Sequence, residues 1–73
     1  MKEIFYGKIG RIVKGKHENW FIKIEDDRER TGGYYVLICK TNFFDKNVYD
    51  DWLENYDDLK QYFLEKKWEI EWQ

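Results

Sequence analysis

WFIKIEDDRERTGGYYVLIC, residues 20–39, decides the fold, because it holds two β-prone runs joined by one polar loop that ends in glycine. Trp20, Ile22 and Ile24 fall on one side of a period-two ladder and Phe21, Lys23 and Glu25 on the other, which predicts a half-buried strand. Residues 34–39 do not alternate. Six apolar or aromatic residues in a row, bounded by Gly33 and Lys40, are too few for a free-standing helix and predict an interior strand covered on both faces. Gly32 and Gly33 tolerate the positive φ that a hairpin connection commonly requires. The stretch therefore reads as the central hairpin of a small sheet.

Working outward, residues 3–13 read as a long opening strand, with Ile4, Tyr6 and Ile12 on one face and Phe5, Ile9 and Val13 on the other. Gly7 and Gly10 inside it predict a bulge, a bend or a close backbone approach. The polar cluster Gly15-Lys16-His17-Glu18-Asn19 supplies a turn, so the first three strands form an antiparallel meander. The mixed-charge loop Asp26-Asp27-Arg28-Glu29-Arg30-Thr31 belongs in solvent. Residues 41–47 break the pattern, and Phe43 and Phe44 are expected to cap an end of the core. Residues 48–54 fit either the start of a long helix or a short strand, and the strand is preferred.

Asn55 is a good N-cap, and Asp57 and Asp58 then fall in the first turn, where the helix dipole favours negative charge. A helix over residues 56–66 would carry an apolar stripe of Tyr56, Leu59, Tyr62 and Phe63. Trp68-Glu69-Ile70-Glu71-Trp72 alternates strictly, and its Trp-Ile-Trp face must be covered. The predicted architecture is one α+β domain over residues 1–73. It has a four- or five-stranded, mainly antiparallel sheet with one helix from the C-terminal half packed on a face, in the order βββ(β)αβ.

A chain of 73 residues has room for one core and buries only about 60% of its unfolded surface. Four Trp, six Tyr and five Phe partly offset the small size. Cys39 is the single cysteine, so an internal disulfide and a thiolate zinc cluster are both excluded, and a reducing cytoplasm is the expected compartment. The opening MKEIFYGKIGR carries an acid at Glu3 and only Ile4, Phe5 and Tyr6 as an apolar run before Gly7, unlike a secretory signal. The longest uninterrupted apolar run in the β region, residues 34–39, is far short of the ~20 residues of a membrane span.

Catalytic candidates are few. A Cys39–His17 pair would be the conventional nucleophile and base, yet no third residue is in view to orient the imidazole, and a buried thiol with a turn histidine is the simpler account. Glu69 and Glu71 read as outward charges that keep a sheet face wet. Glu25-Asp26-Asp27 and Asp50-Asp51-Glu54 offer oxygen ligands but lack the calcium-loop spacing. The expectation is a non-enzymatic chain without metal or cofactor; the sequence sets no oligomeric state. Lys8, Arg11, Lys14 and Lys16 form a modest basic stripe that, with sheet aromatics, could serve RNA. Against it stands a pI of about 5.4.

Charge is divided unevenly. Residues 1–40 hold nine Lys or Arg against six Asp or Glu, whereas residues 41–73 hold four against nine. Asp50, Asp51, Glu54, Asp57 and Asp58 crowd into nine positions together with Trp52 and Tyr56. Like charges so dense repel one another, and the helix start relieves only some of that. Acids mixed with Trp and Tyr suit a recognition surface for a basic protein, where charge steers the encounter and rings supply the contact energy.

The pattern Trp20-Phe21-Ile22-Lys23-Ile24-Glu25-Asp26-Asp27, then Thr31-Gly32-Gly33-Tyr34-Tyr35, then Asp51-Trp52 with Leu59 and Phe63, and the closing Trp68-Glu69-Ile70-Glu71-Trp72 carries a resemblance. Over about residues 18–73 the chain resembles, in general character, the small bacterial immunity proteins of polymorphic or contact-dependent toxin systems. That resemblance implies a cytoplasmic protein that binds a toxin domain, often a basic nuclease, and blocks its active site. A second expectation, from another class, is a small RNA-binding or phage-type regulatory module.

Overall fold

The computed structural model describes residues 4–73 and contains five strands and one helix among them. β1 is Ile9–Lys14, β2 Phe21–Asp27, β3 Gly33–Cys39, β4 Tyr49–Leu53, α1 Tyr56–Lys66 and β5 Glu69–Trp72. The sheet order is β4-β3-β2-β1-β5 and every neighbouring pair is antiparallel. The chain is thus α+β, with α1 carrying it from one sheet edge to the other. Residues 48–54 take the strand alternative, and β4 lies along β3 from Tyr34↔Leu53 to Ile38↔Tyr49.

Register explains the core. Ile22 pairs with Ile38, Ile24 with Val36 and Gly10 with Ile22, so these residues share the face that α1 covers. Ile12, Ile22, Ile24, Val36 and Leu59 are wholly buried there, with Phe63 and Trp68 beside them. Trp68 meets Tyr62 and Phe63 edge-on and donates its indole N–H to the Lys16 carbonyl at 2.7 Å, so the last strand's Trp-Ile-Trp face is covered as its pattern demands. The helix begins where the N-cap chemistry places it: the Asn55 side chain accepts from the Asp58 backbone N–H at 2.8 Å. It ends at Lys67 in a left-handed conformation. The β1–β2 turn docks on that end through the Lys16 N–H to the Lys66 carbonyl, and Gly15, at φ +106°, approaches it so closely that a Cβ would lie 2.6 Å from the Lys66 oxygen.

Three expectations need correction. The opening strand starts at Ile9, not Glu3, which lies outside the described residues. Gly7, at φ +74°, turns the chain, and its N–H bonds the Ile24 carbonyl at 2.8 Å. Residues 4–6 then cross the helix side of the sheet, where Ile4 packs on the core, Phe5 meets Trp72 and Tyr6 stacks on Tyr34. Next, β3 is covered only in part on its second face: Tyr34, Val36 and Ile38 are buried on the helix side, whereas on the other face Cys39 is buried beneath the loop of residues 41–47 and Tyr35 and Leu37, against which no helix packs, are only half-buried. Third, of the two expected caps Phe43 is 76% exposed and Phe44 is half-buried. The loop closes its end of the sheet with backbone instead, the Lys46 carbonyl accepting the Cys39 thiol at 3.3 Å.

Candidate functional site

The acidic tract is split by strand alternation and by the turn into α1. Asp50 and Trp52 pair with Leu37 and Tyr35 and project from β4 onto the uncovered face. Asp51, opposite Val36, projects to the helix side and accepts the Tyr62 hydroxyl. Burial, and then the bond to this carboxylate, raise the Tyr62 pKa above the ordinary phenol value. Glu54 lies exposed in the turn, and Asp57 and Asp58 occupy the first helical turn. Tyr56 is exposed beside them, with the Lys60 ammonium 5.5 Å from its ring centre. The tract therefore wraps one edge and one corner of the molecule rather than forming a flat patch.

Trp52 is held firmly. Its indole N–H donates to the Thr31 hydroxyl at 2.9 Å, and the ring lies over Gly33, where a Cβ would come within 2.6 Å of it. The ring is still 44% exposed. A rigid, half-exposed Trp that already has its hydrogen bond contributes contact area without a large ordering cost. The sequence places Thr31 and Gly33 in the β2–β3 connection and gives no sign that they seat Trp52, because that role depends on β4 lying beside β3.

Electrostatically the tract differs from four acids of β2 and β5. Asp26 pairs with Arg28 at 2.8 Å, Glu25 with Lys23 at 3.3 Å, Glu71 with Arg11 at 3.7 Å and Glu69 with Lys14 at 3.8 Å. The two-point bond from Arg28 holds the Asp26 carboxyl below the usual range. Among the described residues, none of Asp50, Asp51, Glu54, Asp57 and Asp58 has an ion-pair partner. Arg11, Lys14 and Lys23 of β1 and β2 are matched to other acids.

That pairing also reshapes the basic stripe. Arg11 and Lys14 face carboxylates of β5, and Arg11 also bonds Asn19 at 3.2 Å. Lys8 sits 5.3 Å over the Phe5 ring. Lys16 lines a groove of about 480 Å³ on the helix side with His17, Trp20, Tyr49, Tyr62 and Lys66. The four cations thus do not share one surface.

The possible nucleophile and base are not brought together: the Cys39 thiol is buried against Lys46 and Thr41, whereas the His17 ring lies 4.5 Å from that of Trp20. Among the described residues, no three His, Cys, Asp or Glu side chains are grouped so as to hold a metal ion, and no helix is long and apolar enough to cross a membrane. Comparison of the chain with models of protein families, with curated proteins and with solved structures finds no match.

Proposed function

We propose that this chain is a non-enzymatic binding module that docks a basic protein, acting in the cytoplasm as an immunity-type inhibitor that masks a toxin domain. The observation that carries the reading is the unpaired acidic tract: among the described residues Asp50, Asp51, Glu54, Asp57 and Asp58 have no ion-pair partner, while Glu25, Asp26, Glu69 and Glu71 of the sheet take cationic partners. Trp52 and Tyr56 stand exposed among them. Unmatched charge next to exposed rings draws a cationic partner in and then holds it. Masking a basic nuclease would use the same carboxylates in place of nucleic-acid phosphates.

The test compares the wild-type chain with an Asp50→Asn, Asp51→Asn, Glu54→Gln, Asp57→Asn variant in association with a basic toxin-type protein encoded beside it. The wild-type on-rate should fall at least about tenfold as salt rises from about 0.1 M to about 1 M, and the variant should start slow and respond little. Equal on-rates would remove the tract from the interface, and the absence of any toxin-type gene nearby would count against the immunity role. An RNA-binding module using Lys8, Arg11, Lys14 and Lys16 has less support, because Arg11 and Lys14 already face carboxylates. RNA retention with a steep salt slope would revive it.

A further inference from the structure

We infer that the sheet face opposite α1 is the main contact surface for the basic partner, with β4 forming only its border. The inference rests on the docking reading above and assigns it a surface that the acidic tract alone does not define. Register places Ile9, Phe21, Leu37, Tyr35 and Trp52 on this face. They are neighbours in turn: Ile9 and Phe21 diagonally across β1 and β2, Phe21 and Leu37 diagonally across β2 and β3, Leu37 and Tyr35 along β3, and Tyr35 opposite Trp52. The result is a continuous apolar band crossing four strands, about 14 Å from β1 to β4 at the usual strand spacing.

Folding does not call for this band. A solvated antiparallel face ordinarily alternates to polar residues, and every core contact of α1 and of residues 4–6 lies on the other side. All five band residues remain accessible, Trp52 most of all. Charge then selects the occupant. On this face Lys23 is paired with Glu25 and Arg11 with Glu71, while Asp27 and Asp50 have no ion-pair partner among the described residues. Two such faces brought together would set surplus acid against surplus acid, which disfavours a second copy of the chain. The fitting occupant is a protein surface with an apolar centre ringed by Lys or Arg.

The test titrates isotope-labelled chain with three peptides of about 14 residues: an amphipathic Lys/Leu helix, a Lys/Ser peptide of equal charge, and a Glu/Leu helix. The Lys/Leu peptide should shift the amides of residues 9–11, 21–25, 35–39 and 50–52, and the other two should shift them far less. Phe21→Thr with Leu37→Thr, which keep strand propensity, should weaken that binding at least about tenfold, whereas Leu64→Ala on the exposed side of α1 should change it less than about threefold. Leu37→Thr alone serves if the double variant loses its circular-dichroism signature. Shifts confined to residues 54–58 with both lysine peptides would overturn the sheet-face inference and leave the docking reading intact. Equal binding of the Glu/Leu peptide would overturn the charge argument, and no shift with any peptide at low salt would overturn both.

Discussion

Neutralising the acidic tract in two halves should move stability in opposite directions. Asp50 and Glu54 have no ion-pair partner among the described residues and no capping role, so Asp50→Asn with Glu54→Gln removes repulsion and loses no bond. Relief of neighbouring like charges amounts to about 0.2–0.5 kcal/mol per pair, so this variant should be as stable as the wild type or more stable by up to about 0.5 kcal/mol. Asp57 and Asp58 lie in the first turn of α1. Each interacts favourably with the N-terminal dipole by roughly 0.3–1 kcal/mol, so Asp57→Asn with Asp58→Asn should cost about 0.6–2 kcal/mol. Urea unfolding of both variants resolves the difference, and repeating it at about 1 M salt, where the Debye length contracts to about 3 Å, should shrink both effects. Set beside the on-rate measurement, the first variant should gain stability while losing association. That combination marks charge kept for a partner rather than for the fold. Loss of more than about 1 kcal/mol in the Asp50/Glu54 variant would refute the reasoning, because it would mean those carboxylates hold the structure together.

Leu59→Ala should destabilise by about 2–5 kcal/mol, because Leu59 is wholly buried, whereas Leu64→Ala on the exposed side of α1 should stay within about 0.5 kcal/mol; thermal melts separate the two. Gly15→Ala should cost at least about 1–3 kcal/mol by urea unfolding, since φ is +106° and the new Cβ would collide with the last carbonyls of α1. Burial, the bond to Tyr34 and nearby charges push Tyr6 from 10.0 up to about 12, and Tyr62 is raised in the same direction. A phenol raised on folding is deprotonated first in the unfolded chain, so stability falls as pH climbs from about 10 through the folded values. Tyr6→Phe and Tyr62→Phe should each flatten that fall in unfolding curves at about pH 9, 10 and 11, measured against the wild type.

Elements whose signals are local were legible in the sequence. Asn55, Asp57 and Asp58 set the helix start, and strict alternation set β5, because cap chemistry and period-two patterning need no knowledge of distant strands. The elements misread are those that tertiary partners decide. Residues 34–39 look alike whether one or both faces are covered, and only the count of covering elements tells them apart; with a single helix and one crossing segment, one face stays open. The opening strand fails in a similar way, since Gly7 marks a break but cannot show that the preceding residues fold across the helix side to meet Trp72 and Tyr34. For the site, the acidic tract could be read in one dimension. Its division between the open face, the helix side and the N-terminal corner required β4 to be known as an edge strand.

That edge position gives the acids a second consequence. β4 pairs only with β3, so its outer backbone groups are free to recruit another strand, and charged residues on an edge strand discourage such pairing. Asp50 and Asp51 sit at the middle of this edge, so they repel a second copy of the same acidic strand while leaving a cationic partner welcome. Edge protection and docking therefore ask for the same charge at the same place. The open face separates the two roles: protection against strand addition needs nothing beyond β4, whereas Ile9, Phe21 and Leu37 lie one to three strands inward, where edge chemistry gives no reason for apolar side chains.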